Sequence, residues 1–274
     1  MRVLIWCKRI AVAIILGGIL HMSQHLAAKS AKDAVEYDGV RLCVVFNNVP
    51  YKADLETGWG FSCWIKDQDN TILFDTGGNG DILLRNMKRL GLDVKTVQAV
   101  VLSHIHGDHT GGLGRLLESN PNVTVYMPES FLAAFKQHVR RLGASSENVS
   151  GPRQLIGRVH STGEMGLGVK EQALIVDTPR GLIVLTGCAH PNVAEMAERA
   201  TAYLGKNIYL LMGGFHLDGR TDAEVQAIIA RLKALGVRKV APSHCTGDHA
   251  TRMFRREWGD DFIEGGLGAV IDVP

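Results

Sequence analysis

Three histidines and an aspartate fall within six positions, as His104, His106, Asp108 and His109 in the run from Ser103 to Gly112. Imidazole nitrogens and a carboxylate are ligands for Zn²⁺, and for Mn²⁺ or Fe²⁺ as well. In extended backbone alternate side chains share a side, so His104, His106 and Asp108 are expected to converge. The glycines around them let the chain turn and bring His109 in beside them. So many polar rings at the end of a buried strand are costly without a partner, and a metal ion is the partner that fits.

The elements that must position these residues can be read from the apolar spacing. Residues 41–46, 61–65 and 71–75 read as strands, the last two joined by a turn at Asp67-Gln-Asp-Asn70. Leu83, Met87 and Leu90 recur at helical spacing, with Gly91 where a C-terminal cap belongs. A strand over 98–103 leads into the histidine run, and an amphipathic helix follows over 130–141. The second half repeats this alternation, with a hairpin of 172–177 and 182–186 about Pro179-Arg-Gly181, a helix over 192–203 and a strand over 208–212. A helix then starts at Thr221 with the capping-box pair Thr221 and Glu224, and a strand covers 238–242. Two strand-rich halves, each ending in helices, point to a layered α/β sandwich rather than a doubly wound sheet.

The run His-x-His-x-Asp-His resembles the signature of the metallo-β-lactamase superfamily and is complete here. Phe74-Asp-Thr-Gly-Gly78 resembles the motif in which an aspartate, here Asp75, stands behind a metal-ligating histidine. Thr186-Gly-Cys-Ala-His190, Gly213-Gly-Phe-His-Leu217 and Pro242-Ser-His-Cys-Thr-Gly247 are similar to one branch of it. That branch comprises 7,8-dihydropterin-6-methyl-4-(β-ribofuranosyl)aminobenzene-5′-phosphate synthase and metal-dependent hydrolases. The resemblance spans roughly residues 40 to 270 and implies a four-layer αββα sandwich holding two divalent ions.

It also implies where further ligands come from. Members usually add a histidine, a bridging aspartate and a final histidine from the second half. Cys188 stands where many relatives have that aspartate, so either its thiolate or His190 fills the place, and His190 is preferred. His244 matches the final histidine. His216 is read as a ligand or as a proton donor. Glu171 lies near the position of the relatives' middle histidine but reads as a solvated loop acid. Cys245 is expected to point away from the metal, by alternation with His244. His138 is assigned to the polar side of its helix, His160 to a glycine-rich loop and His249 to a helix cap.

The implied chemistry is hydrolysis by a metal-activated hydroxide, with Asp108 orienting the water and His216 assisting the leaving group. The bond attacked is an ester, lactone, amide or phosphoester. The alternative is a transferase joining a pterin alcohol diphosphate to an arylamine ribofuranosyl phosphate; a third reading is a metal-binding sensor without turnover.

Composition agrees with a globular enzyme. The 274 residues are 46% hydrophobic and 21% charged, which excludes a disordered tail or a coiled coil. Thirty basic against 28 acidic residues give +2, and no long basic run suggests nucleic acid as a partner; a small-molecule substrate is expected. Oligomeric state is not legible. Residues 1–28 resemble an export signal: Arg2, Lys8 and Arg9, an uncharged run from Ile10 to Leu20, then Leu26-Ala-Ala28. At roughly 16 Å as a helix that run is too short for a hydrocarbon core of about 30 Å. Residues 29–274 are then an exported domain, periplasmic or secreted, or one held to the membrane if the segment stays as an anchor. Cys43, Cys63, Cys188 and Cys245 remain after the leader, and Cys43 and Cys63 are read as buried free thiols.

Overall fold

Alternation of inward and outward apolar residues builds most of the first sheet. In the computed structural model, which describes residues 39–274, β1 (Val40–Asn47), β2 (Phe61–Asp67) and β3 (Asn70–Phe74) pair antiparallel. β4 (Ala99–Val101), β5 (Thr124–Pro128) and β6 (Ser145–Val149) add in parallel, and β13 (Val270–Val273) closes the far edge against β1. The second sheet has antiparallel β7 (Arg153–Ile156), β8 (Val159–Ser161), β9 (Leu174–Thr178) and β10 (Gly181–Thr186), then parallel β11 (Ile208–Gly214) and β12 (Lys239–Ser243). The expected leader over residues 1–28 lies outside the described residues.

Three apolar layers make the four-layer αββα sandwich. Between the sheets Leu42, Ile72 and Phe74 meet Leu185, Leu210 and Met212, all fully buried. Each such side chain contributes on the order of 1.5–3 kcal/mol by leaving water. The first sheet's outer face, with Leu73, Val100 and Val125, is covered by α1 (Gly80–Arg89), α3 (Leu113–Ser119) and α4 (Ala133–Arg141), with α2 (Gly107–Thr110) a single turn after β4. The second sheet's outer face is covered by α5 (Val193–Leu204), α6 (Asp222–Ala234) and α7 (Asp248–Trp258). The expected capping box of Thr221 and Glu224 is present at the start of α6.

Cys43 and Cys63 sit on opposite faces of the first sheet, one toward the helices and one between the sheets, so a bridge between them is geometrically closed. All four described cysteines are free thiols. The helix expected from residue 130 starts at Ala133, and the strand expected over 98–103 is confined to Ala99–Val101. The carboxyl ends of β3, β4, β10, β11 and β12 open at one rim, where ligand sites of α/β sheets belong. Each is followed at once by residues singled out above: Asp75, His104, Cys188, His216 and His244.

Candidate metal centre

The histidine run is divided by a turn. After β4 the chain leaves the sheet and bends at Ile105, and His106, extended, is the N-cap of α2, which begins at Gly107. Asp108 therefore does not share a side with His104 and His106, as uninterrupted extended backbone would require. Instead the run feeds two groups. His104, His106 and His190 have ligand atoms within 4.8 Å of one another, and so do Asp108, His109, Cys188 and His244. The groups adjoin, with the His104 and His109 rings 4.2 Å apart at their centroids. His190 and Cys188, alternatives for one place in the sequence, are both brought in, one to each group. In the second group Asp108 Oδ2 lies 3.5 Å from His109 Nε2 and 3.4 Å from His244 Nε2, and Cys188 Sγ lies 3.3 Å from His109 Nε2.

Hydrogen bonds behind the rings decide which nitrogen each presents. Asp75 Oδ2 accepts from His109 Nδ1 at 2.7 Å and from the Ser103 hydroxyl at 2.7 Å, while its Oδ1 accepts the Ser103 N–H. Having donated its only proton, Ser103 Oγ accepts from His104 Nδ1, 2.9 Å away. Asn48 Oδ1 likewise accepts from His244 Nδ1 at 2.6 Å. With Nδ1 engaged behind each ring, all three turn Nε2 toward the centre, the arrangement of metal-ligating histidines. Gly187 admits this packing, because a Cβ there would stand 2.1 Å from Ser103 Oγ.

Glu171 is not a solvated acid. It is fully buried, and Oε1 accepts the N–H groups of Gly187, Cys188 and Ala189 at 3.0, 3.0 and 2.8 Å. Oε2 accepts that of His190 at 2.9 Å and lies 3.8 Å from His104 Nδ1. It braces the loop carrying Cys188 and His190, in which Ala189 is left-handed with φ of 60°. Asp75, His216 and His244 are left-handed too, with φ of 55°, 52° and 52°. Nothing in an acid before a strand signals this brace.

The donor set fits divalent ions. Among the described residues, buried side-chain nitrogens without a hydrogen-bond partner include Nε2 of His104, His190 and His244. Such atoms cost free energy unless something accepts their lone pairs. Burial, then the neighbouring histidines, holds His104 neutral and brings His190 down to about 4. Although burial opposes it, the adjacent His109 and His244 rings keep Asp108 ionised. In the ion-free chain His109 is raised to about 10, against burial, by the charge of Asp75 and by hydrogen bonds to Asp108 and Asp75.

Cys245 corrects a second expectation. Because a 3-10 turn begins at His244, alternation fails, and the Cys245 sulfur turns back to lie 3.6 Å from the Cys188 carbonyl oxygen. His216 is exposed in a cleft of about 450 Å³ that it lines with His190 and Arg220, its ring 4.5 Å from that of His190. A second cleft, of about 710 Å³, opens beside His244 and is walled by Trp59, which is exposed and 5.0 Å from the His244 ring. The remaining described histidines stay apart: His138 is exposed on its helix, and His249 pairs with Asp222. His160 lies on β8 against Tyr203, not in a loop.

Comparison with known proteins bears on the family and the fold. The sequence pattern described as the metallo-beta-lactamase superfamily matches residues 60–244. The chain is 30% identical over 270 residues to a protein of Methanocaldococcus jannaschii named 7,8-dihydropterin-6-methyl-4-(beta-D-ribofuranosyl)-aminobenzene-5'-phosphate synthase, covering 81% of this chain and 92% of that one. A solved metal-dependent hydrolase of the β-lactamase superfamily superposes with a TM-score of 0.72 at 25% identity, covering 85% of this chain and 99% of its own. A metallo-β-lactamase fold protein from Bacillus subtilis superposes with a TM-score of 0.64 at 16% identity, over 86% of this chain and 100% of its own, a likeness of fold alone.

Proposed function

The chain belongs to the metallo-β-lactamase superfamily, and from that premise we propose that it is a metal-dependent hydrolase of a small molecule carrying an ester, lactone, amide or phosphoester bond. The observation that carries this reading is the pair of adjoining donor groups with buried, unpartnered Nε2 atoms. His104, His106 and His190 would hold one ion, and Asp108, His109, His244 and Cys188 the other. Mixed nitrogen, oxygen and sulfur donors suit Zn²⁺, with Fe²⁺ or Mn²⁺ as alternatives. Divalent ions there supply Lewis acidity toward a water and toward the oxygen on which charge develops.

The chain's own groups do the rest. Asp108, ionised and only partly buried, orients the attacking water and accepts its proton. Asp75 fixes the His109 tautomer and, through Ser103, that of His104. His216 faces the cleft beside His190, and Cys245 raises it above its ordinary value; it is read as a ligand or as a proton donor. The cleft beside His244 offers room for a substrate against the Trp59 ring.

The second reading, a dihydropterin transferase, is supported by 30% identity across most of a protein bearing the synthase name. One experiment separates the two. Metal-loaded protein is incubated with esters, lactones, β-lactams and phosphodiesters, with and without chelator. Chelator-sensitive turnover supports the hydrolase, and arylamine-dependent release of diphosphate from a pterin alcohol diphosphate replaces it with the transferase. Neither turnover, with ions bound, leaves a metal-binding sensor.

A further inference from the structure

Beside the two groups lies a third set of donors. Cys188 Sγ, Cys245 Sγ and an imidazole nitrogen of His216 are within 4.8 Å of one another. Both cysteines are buried, and His216 reaches the 450 Å³ cleft. The backbone enforces the proximity. The Leu217 and Asp218 N–H groups donate to the Cys245 carbonyl at 3.2 and 3.3 Å, and the Phe215 N–H donates to Thr246 Oγ1 at 3.1 Å, tying the His216 turn to the Cys245 turn. Gly214 keeps the space open: a Cβ there would stand 2.6 Å from Cys245 Sγ and 3.2 Å from Cys188 Cα.

Two sulfurs and an imidazole are a donor set for a soft ion. Two thiolates and a neutral imidazole carry a charge that one divalent cation cancels, and the two thiol protons leave to solvent as it binds.

We propose that Cys188, His216 and Cys245 form a third metal position, taking a thiophilic divalent cation such as Zn²⁺ or Cd²⁺, with the Cys188 thiolate bridging it to the Asp108, His109 and His244 group. Donors about 2.0–2.3 Å from one ion lie at most about 4.6 Å apart, so small side-chain rotations close the set. The proposal does not depend on which bond is cleaved.

The test is a Co²⁺ titration of metal-free full-length protein kept reduced, read by elemental analysis after dialysis and by the thiolate-to-cobalt charge-transfer band. Wild type is expected to take about three ions, one for each donor group. Cys245→Ser and His216→Ala should each lose one, and in Cys245→Ser the band weakens but persists through Cys188. His106→Ala should lose a different ion and leave the band intact. His216 is exposed, so its alanine variant keeps the test valid if the buried serine variant misfolds, as circular dichroism would reveal. The proposal is overturned if His216→Ala, and any folded Cys245→Ser, bind as many ions as wild type with an unchanged band. Turnover is assayed separately, so failure of the hydrolase reading is distinguishable.

Discussion

Glu171 holds His190 by its backbone, Oε2 accepting the His190 N–H at 2.9 Å, while Oε1 collects the three preceding N–H groups. One buried carboxylate therefore fixes a loop that serves both donor groups, since Cys188 belongs to one and His190 to the other.

Glu171→Ala leaves four buried N–H groups without their acceptor. The expected loss is about 3–5 kcal/mol of unfolding free energy for the ion-free chain. Glu171→Gln, which keeps one carbonyl oxygen, should lose about half as much. Denaturant unfolding measures both, and an alanine variant as stable as wild type would refute the brace.

His190→Ala and Cys188→Ser are expected to weaken different ions, because their side chains lie in separate groups. Elemental analysis of each variant, alone and combined with His106→Ala, checks this. His190→Ala adds nothing to the deficit of His106→Ala, whereas Cys188→Ser deepens it.

Asp108→Asn keeps the shape of the side chain but removes the base. With a hydrolysable substrate in hand, kcat should fall by roughly 10²–10⁴ with a far smaller change in KM, while the protein stays folded. Full activity in this variant would refute the role given to Asp108.

The two groups should respond differently to pH. In the ion-free chain His109 is raised to about 10, above its ordinary value, so at neutral pH an ion must displace its Nε2 proton. The Cys188 thiol, raised above its ordinary value by Cys245 and by burial, gives up its proton as well, so affinity of the second group should rise about a hundredfold per pH unit over the neutral range. By the same linkage, the stability His109 lends the ion-free fold is present below its unfolded value, near 6.5, and lost as pH rises through about 10. His104 and His190 are lowered instead and carry no proton to displace at neutral pH. Ion titrations between pH 6 and 9 on His106→Ala, which isolates the second group from the first, should show the steep dependence. Flat affinity there would contradict it.

How much of this was legible in the sequence depended on spacing. Period-two and helical repeats marked β1 to β3, β9 to β12 and α5 to α6, since each buries one side against a sheet or helix. β6 escaped because Ser145-Ser-Glu-Asn-Val149 is an edge strand with mostly exposed residues and no alternation to read. The histidine run announced a metal centre, but its division into two groups depended on where α2 begins. Asn48, Ser103, Glu171 and Cys245 were out of reach for another reason: their roles arise from contacts between residues as much as 196 positions apart, as in the pair of Asn48 and His244.

The left-handed turns at Asp75, Ala189, His216 and His244 carry a consequence for how this chain can vary. A side chain in that conformation is strained by on the order of 1–3 kcal/mol, which glycine would relieve. At Ala189 no donor would be lost by that replacement, whereas at the other three the relief would cost a carboxylate or an imidazole. Drift toward greater stability thus has one open route through this rim and three closed ones, and the closed ones are where durability has been surrendered to keep chemistry in place.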